Sequence, residues 1–186
     1  SPCVTFNNND ESLRSYTYVK DNDVELHAYD YIPTYSPIEG VEVPEGEYTL
    51  PIGKADVKRA GSNVTVVSYG LTLHYCLEAA EELAGEGIDV EVVDLRTLTP
   101  LDTGTILESV KKTGKLAVVH EDNITGGVGA EIAALAADQA FEYLDGPVVR
   151  ICGPDVPTMP FAQTLEDAYM PTADKIATGL RNLVAY

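Results

Sequence analysis

The chain has 186 residues, thirty of them acidic against twelve basic, for a formal net charge of -18. An acid surplus of that size repels phosphate and argues against nucleic acid or an anionic membrane as a partner. Hydrophobic residues at 45% and charged residues at 23% are ordinary for a folded domain, and no run approaches the roughly 18 to 20 apolar residues of a bilayer span. The sequence starts at Ser1 without a methionine and is expected to be a piece of a longer protein. Cys3, Cys76 and Cys152 lie far apart and form neither a C-x-x-C pair nor an even-numbered disulfide framework. A reducing, cytoplasmic compartment is therefore expected.

Composition changes near residue 48. Residues 1–48 hold six of the eleven tyrosines, ten acids against two bases, and Pro2, Pro33, Pro37 and Pro44, with no sustained apolar period. An extended acidic arm is predicted over 1–47 and an α/β domain over 48–186. Within the domain, 64–69 reads as a buried strand closed by Gly70. Leu73, Cys76, Leu77, Ala80, Leu83 and Ala84 then fall at helical spacing up to Gly85 and Gly87. A second strand over 88–94 leads through Pro100 to a helix over about 103–112, capped by Asp102 or Thr103. The third strand is 116–119. A helix over about 128–143 follows, with Ile132, Leu135, Ala136, Gln139 and Ala140 on one side. The fourth strand is 147–151, then come a proline-rich loop (Pro154, Pro157, Pro160) and a closing helix over 172–184. Strands alternating with helices of this length predict right-handed crossovers and a three-layer, open, mostly parallel sheet with helices on both faces.

Few residues have the pattern of a reactive site. Thr125-Gly126-Gly127-Val128-Gly129 joins a strand to a helix, where backbone amides and the helix dipole can hold an anion. The same glycines also suit a tight turn, and the spacing lacks the third glycine of a dinucleotide fingerprint because position 132 is Ile. His120 and Glu121 end the third strand at the carboxyl edge of the sheet, where open α/β proteins place their sites, but neighbours on a strand point to opposite faces. Asp94 and Arg96, two apart, can share a face as an ion pair. His27 and His74 have no metal-ligand neighbours at useful spacing, and no nucleophile elbow occurs.

Seven blocks in one order carry a family resemblance: YTLPIGKA at 48–55, DLRTL at 94–98 followed by PLD at 100–102, SVKKTG at 109–114, VHE at 119–121, TGG at 125–127, GAE at 129–131, and GPD at 153–155. Residues 48–186 resemble the transketolase-type C-terminal domain of the β subunits of 2-oxo acid dehydrogenase decarboxylating components, of the pyruvate, branched-chain and acetoin types. Residues 1–35, with SPCVTFN at 1–7 and SYTYVK at 15–20, are similar to the late part of the β subunit of 2-oxo acid:ferredoxin oxidoreductases.

The first resemblance implies an enzyme of oxidative decarboxylation that uses thiamine diphosphate and magnesium. No Gly-Asp-Gly segment of the kind that holds them occurs in this sequence, so catalysis is expected on other domains and not by this chain alone. It further implies assembly with the other subunits as a homodimer or heterotetramer, and docking of the dihydrolipoyl acyltransferase core at acidic points that match Asp145 and the carboxylate of Tyr186. The second resemblance implies an iron-sulfur ligand at Cys3, although one thiolate cannot hold a cluster that needs about four. The alternatives to this reading are a non-catalytic interaction module, a part of a 2-oxo acid:ferredoxin oxidoreductase, and an anion-binding regulator built on Gly126, Gly127 and Gly129.

Overall fold

The structure, a computed structural model, describes residues 3–7, 15–20, 24–29, 47–157 and 160–186. It divides into two units, Ser1–Ile52 and Gly53–Tyr186. In the first unit, strands β1 (Cys3–Asn7), β2 (Ser15–Lys20), β3 (Val24–Tyr29) and β4 (Glu47–Pro51) form an antiparallel sheet of order β3-β2-β1-β4. Every described residue of the expected arm is thus in a strand.

The second unit opens with β5 (Asp56–Arg59), then β6 (Val64–Ser68), helix α1 (Leu71–Ala84), β7 (Val90–Asp94), α2 (Thr103–Thr113), β8 (Leu116–Asn123) and α3 (Val128–Gln139). A short 3-10 turn at Phe141–Tyr143, β9 (Val149–Gly153), α4 (Gln163–Tyr169) and α5 (Ala173–Val184) complete it. The sheet order is β5-β7-β6-β8-β9; β6, β7, β8 and β9 run parallel and β5 lies antiparallel at the edge. After the edge strand β5, the parallel strands therefore begin at β6, step to β7 on one side, and cross back to β8 on the other. That reversal between β6 and β8 is the topological switch point, the usual location of a ligand crevice in such sheets.

A period of two along the strands decides which helix each residue meets. Val64, Val66, Val90, Val92, Ala117 and Val119 pack with α1 and α5 around Leu83, Ile176 and Leu180. Val67, Val93, Leu116 and Val118 pack on the other face with Ile106, Val110, Ile132 and Ala136 from α2 and α3. Both faces are covered, so the central strands are apolar at nearly every position.

Three features depart from the sequence reading. The DVKR stretch forms β5, an edge strand whose charges suit a solvent-facing edge but hide it from a hydrophobicity pattern. The helix foreseen over 128–143 stops at Gln139, whose side chain is exposed, and its last turn tightens into the 3-10 segment. Within the stretch read as a proline-rich loop lies α4, too short to show a helical period.

Polar anchors fix α2. Asp102, almost fully buried, caps it by accepting from the Thr105 amide (3.3 Å) and hydroxyl (2.9 Å). The same carboxylate accepts from the Ala55 amide at 3.1 Å, which ties the loop before β5 to the helix start. At the far end the Thr113 and Thr65 hydroxyls meet at 2.8 Å. Gly114, at φ 71, supplies the left-handed C-cap, and its amide donates to the Val110 carbonyl.

Burial opposes ionisation of Asp102, but the Ala55 and Thr105 donors outweigh it and hold the carboxyl below its ordinary 3.8. Its stabilisation is therefore full above about pH 4 and lost as pH falls through the lowered folded value. Asp102→Ala is expected to cost about 1 to 3 kcal/mol in urea titrations at pH 7, with the gap to wild type closing in strong acid. An unchanged midpoint at pH 7 would contradict the cap.

Candidate functional site

The blocks at 53–55, 94–102, 119–131 and 153–155 gather into two clusters at the carboxyl ends of the parallel strands. In the first, 53–56 packs on 94–102. The Gly53 amide donates to the Thr97 hydroxyl (3.0 Å), which donates to the Pro100 carbonyl (3.0 Å). Arg96, at φ 56, places its guanidinium on Asp56 at 2.6 Å, and Lys58 reaches the same carboxylate at 2.8 Å. The hydrogen bond from Lys58 and the charge of Arg96 together hold Asp56 below the ordinary carboxylate range. The expected Asp94–Arg96 side-chain pair is not the one formed. Asp94 accepts the Arg96 backbone amide at 3.0 Å instead, because the left-handed backbone turns the Arg96 side chain toward the edge strand.

The second cluster centres on His120, fully buried at the switch point. Its Nδ1 faces the Asp122 carbonyl at 3.1 Å, and Nε2 accepts from the Gly129 amide at 3.1 Å. The Cys152 Sγ also lies 3.2 Å from Nε2. These partners select the tautomer with the proton on Nδ1. Burial, set only partly against the Asp122 contact, lowers the imidazole below its ordinary 6.5. Burial also pushes the Cys152 thiol up to about 11, so the sulfur remains an S–H donor and not a thiolate. The Tyr69 ring stacks on the imidazole, with centroids 6.2 Å apart and planes at 26°. Glu121 is exposed on the opposite face, so it does not pair with His120.

The glycine turn answers to the same ring. A Cβ on Gly129 would lie 2.7 Å from His120 Nε2, and one on Gly127 would lie 2.6 Å from Cε1 and 2.4 Å from the Asn123 carbonyl. Gly126 takes φ 78 with open space around it. The Gly129 amide in the first turn of α3 is thus given to His120. Among the described residues no three His, Cys, Asp or Glu side chains cluster to hold a metal ion. Cys3 opens β1 opposite Val19 and Pro51; its side chain, like that of His27, lies outside the described residues.

Asp145 and Tyr186, far apart in sequence, line one groove of about 540 Å³ with Ala133, Ala137, Phe141 and Leu144. The Asp145 amide donates to the Gly114 carbonyl at 2.7 Å. Its carboxylate lies over Gly114, where a Cβ would come within 2.3 Å. The end of SVKKTG therefore seats the acidic residue of the groove. A further polar contact escaped the sequence reading: Glu91, 2% exposed in β7, is paired with Lys112 of α2 and accepts from the Gly61 amide. A glutamate between the buried Val90 and Val92 was its only signal.

A doubly wound sheet with these two clusters defines a transketolase-type domain. The transketolase C-terminal domain model matches residues 53–176, and the chain belongs to that family. It is 45% identical over 168 residues to the 2-oxoisovalerate dehydrogenase subunit beta of Bacillus subtilis, covering 90% of this chain and 51% of that protein. That coverage exceeds the stretch from Tyr48 onward and so reaches into the first unit. It is 50% identical over 137 residues to the mitochondrial pyruvate dehydrogenase E1 component subunit beta of Dictyostelium discoideum, covering 74% and 38%. Among solved structures, a split-gene transketolase described as an inactive β4 tetramer superposes with a TM-score of 0.65 at 29% identity, covering 73% of this chain and 44% of that one. The chain spans about half the length or less of the curated relatives it matches.

Gly129→Ala would drive a methyl into the imidazole and is expected to cost about 1 to 3 kcal/mol despite the better helix former. Because the folded His120 value is depressed, its stabilisation is full above 6.5 and lost as pH falls below it. The melting temperature between pH 7.5 and 5 is expected to fall less in His120→Gln than in wild type. Equal slopes would contradict a neutral buried imidazole.

Proposed function

We propose that the chain is the C-terminal part of a thiamine-diphosphate-dependent 2-oxo acid dehydrogenase β subunit, serving subunit assembly and docking of the dihydrolipoyl acyltransferase core. Thiamine diphosphate, magnesium and the decarboxylation chemistry belong in this proposal to other parts of the enzyme. The relatives named as β subunits of 2-oxoisovalerate and pyruvate dehydrogenases support the enzyme group. The free thiols of Cys76 and Cys152 accord with a reducing cytoplasmic setting. No helix among the described residues is long and apolar enough to cross a membrane.

One observation carries the docking role: Asp145 and Tyr186 line a single groove floored by alanines and by Leu144, with Phe141 75% exposed at its side. An apolar floor with an exposed carboxylate suits a small basic domain, which would bury an aliphatic or aromatic side chain and set an arginine or lysine against Asp145. In this chain's strongly negative field such an encounter is accelerated and oriented by charge.

Titration calorimetry against the basic peripheral subunit-binding domain of an acyltransferase is the direct check. Asp145→Lys is expected to weaken binding at least tenfold, and raised salt to weaken wild-type binding. An isotherm unaffected by Asp145→Lys would remove the groove as the docking site.

A further inference from the structure

The second unit carries far more negative charge than its cations balance. Residues 53–186 hold twenty acids against ten bases. Six of those bases, Lys54, Lys58, Arg59, Arg96, Lys112 and Arg181, sit in salt bridges. Arg150 and Lys175 donate to backbone carbonyls, and Lys111 lies over the Tyr143 ring. The salt bridges among the described residues engage only seven of the twenty carboxylates. The other thirteen are exposed except Glu166, which is half-buried.

Several of these acids stand where they oppose the fold in dilute salt. The last turn of α1 holds Glu81 and Glu82 and that of α3 holds Asp138, with no basic residue in either, although the helix dipole favours cations there. Glu78 precedes Glu81 and Glu82 by three and four residues, the two spacings at which like charges on a helix repel. Arg181 of α5 compensates Glu82 and Glu86, but no salt bridge among the described residues engages Glu78, Glu81 or Asp138. A coat that serves solubility alone needs a net charge of only about 2 to 8 on a small domain and gains nothing from acids at the wrong helix ends.

Charge spacing decides which medium tolerates this arrangement. Helix neighbours three or four residues apart lie about 5 to 6 Å from each other. At about 0.15 M salt the Debye length of about 8 Å spans that gap, whereas at about 1 M it shrinks to about 3 Å and does not. Ion pairs in direct contact, such as Arg96 with Asp56 and Arg181 with Glu86, both at 2.6 Å, lie inside the shorter length and are retained. Rising salt therefore removes more repulsion than attraction.

We propose that the fold is adapted to a medium of molar monovalent salt, where it is most stable, and that it loosens as the salt is diluted. The inference is independent of the docking role proposed above, whose apolar floor and contact pair at Asp145 operate, more weakly, in the same medium.

Thermal unfolding of the full chain, followed by circular dichroism in KCl from about 0.1 to about 2 M, tests it. The wild-type melting temperature is expected to climb by about 10 °C, with a good part of the climb above about 0.5 M. The triple variant Glu78→Gln, Glu81→Gln, Asp138→Asn changes only exposed side chains. It is expected to melt about 3 °C above wild type at the low-salt end and to climb less. A wild-type melting temperature that is flat or falls with KCl, or a climb complete by about 0.3 M, overturns the proposal. An equal climb in both proteins also overturns it, since salting-out of apolar surface would then account for the effect. Sorbitol at matched osmolality is expected to leave the difference between the two proteins in place; if it closes that difference as KCl does, screening is not the cause and the proposal fails.

Discussion

The buried imidazole of His120 is the constraint around which the carboxyl edge of the sheet is arranged. Its two nitrogens link the end of β8, the first turn of α3 and the side chain of Cys152 on β9. The glycines at 127 and 129 are required by its bulk, and Tyr69 covers it from the end of β6. In many open α/β proteins the crevice at this switch point is left for a ligand. Here an aromatic stack and a histidine with all its hydrogen-bonding capacity engaged occupy the place. A neutral imidazole beside a protonated thiol is a packing arrangement, poorly suited to nucleophilic chemistry at neutral pH.

One end of β9 carries the Asp145–Tyr186 groove, and at the other Thr125 and Asp155 tie two loops together. The ion pair of buried Glu91 with exposed Lys112 and the Asp102 cap hold α2 against the sheet from its two ends.

Much of the architecture was legible in the sequence because β6, β7 and β8 are buried on both faces and read largely as apolar runs, while α1 and α5 show one-sided helical periods. The edge strand β5 was not legible: an exposed edge favours charge, and DVKR carries no apolar alternation. The site was legible only in part. The blocks at 94–102, 119–131 and 153–155 were visible as a family signature, but nothing in their spacing tells that Gly129 and Cys152 converge on one imidazole nitrogen. That convergence depends on the parallel pairing of β8 with β9, which sets His120 opposite Cys152. The partnership of Arg96 with Asp56 instead of Asp94 likewise rests on a left-handed residue that no propensity favours.

The proposal that decarboxylation takes place on other parts of the enzyme is open to a direct test. Its most direct measurement is turnover of a branched-chain 2-oxo acid, followed by reduction of an artificial acceptor. The chain would be assayed alone with thiamine diphosphate and magnesium, and then added to a dehydrogenase whose β subunit lacks its own C-terminal domain. No turnover alone and restored turnover in the mixture is the predicted result; substrate-dependent reduction by the chain alone, or no restoration in the mixture, would contradict it.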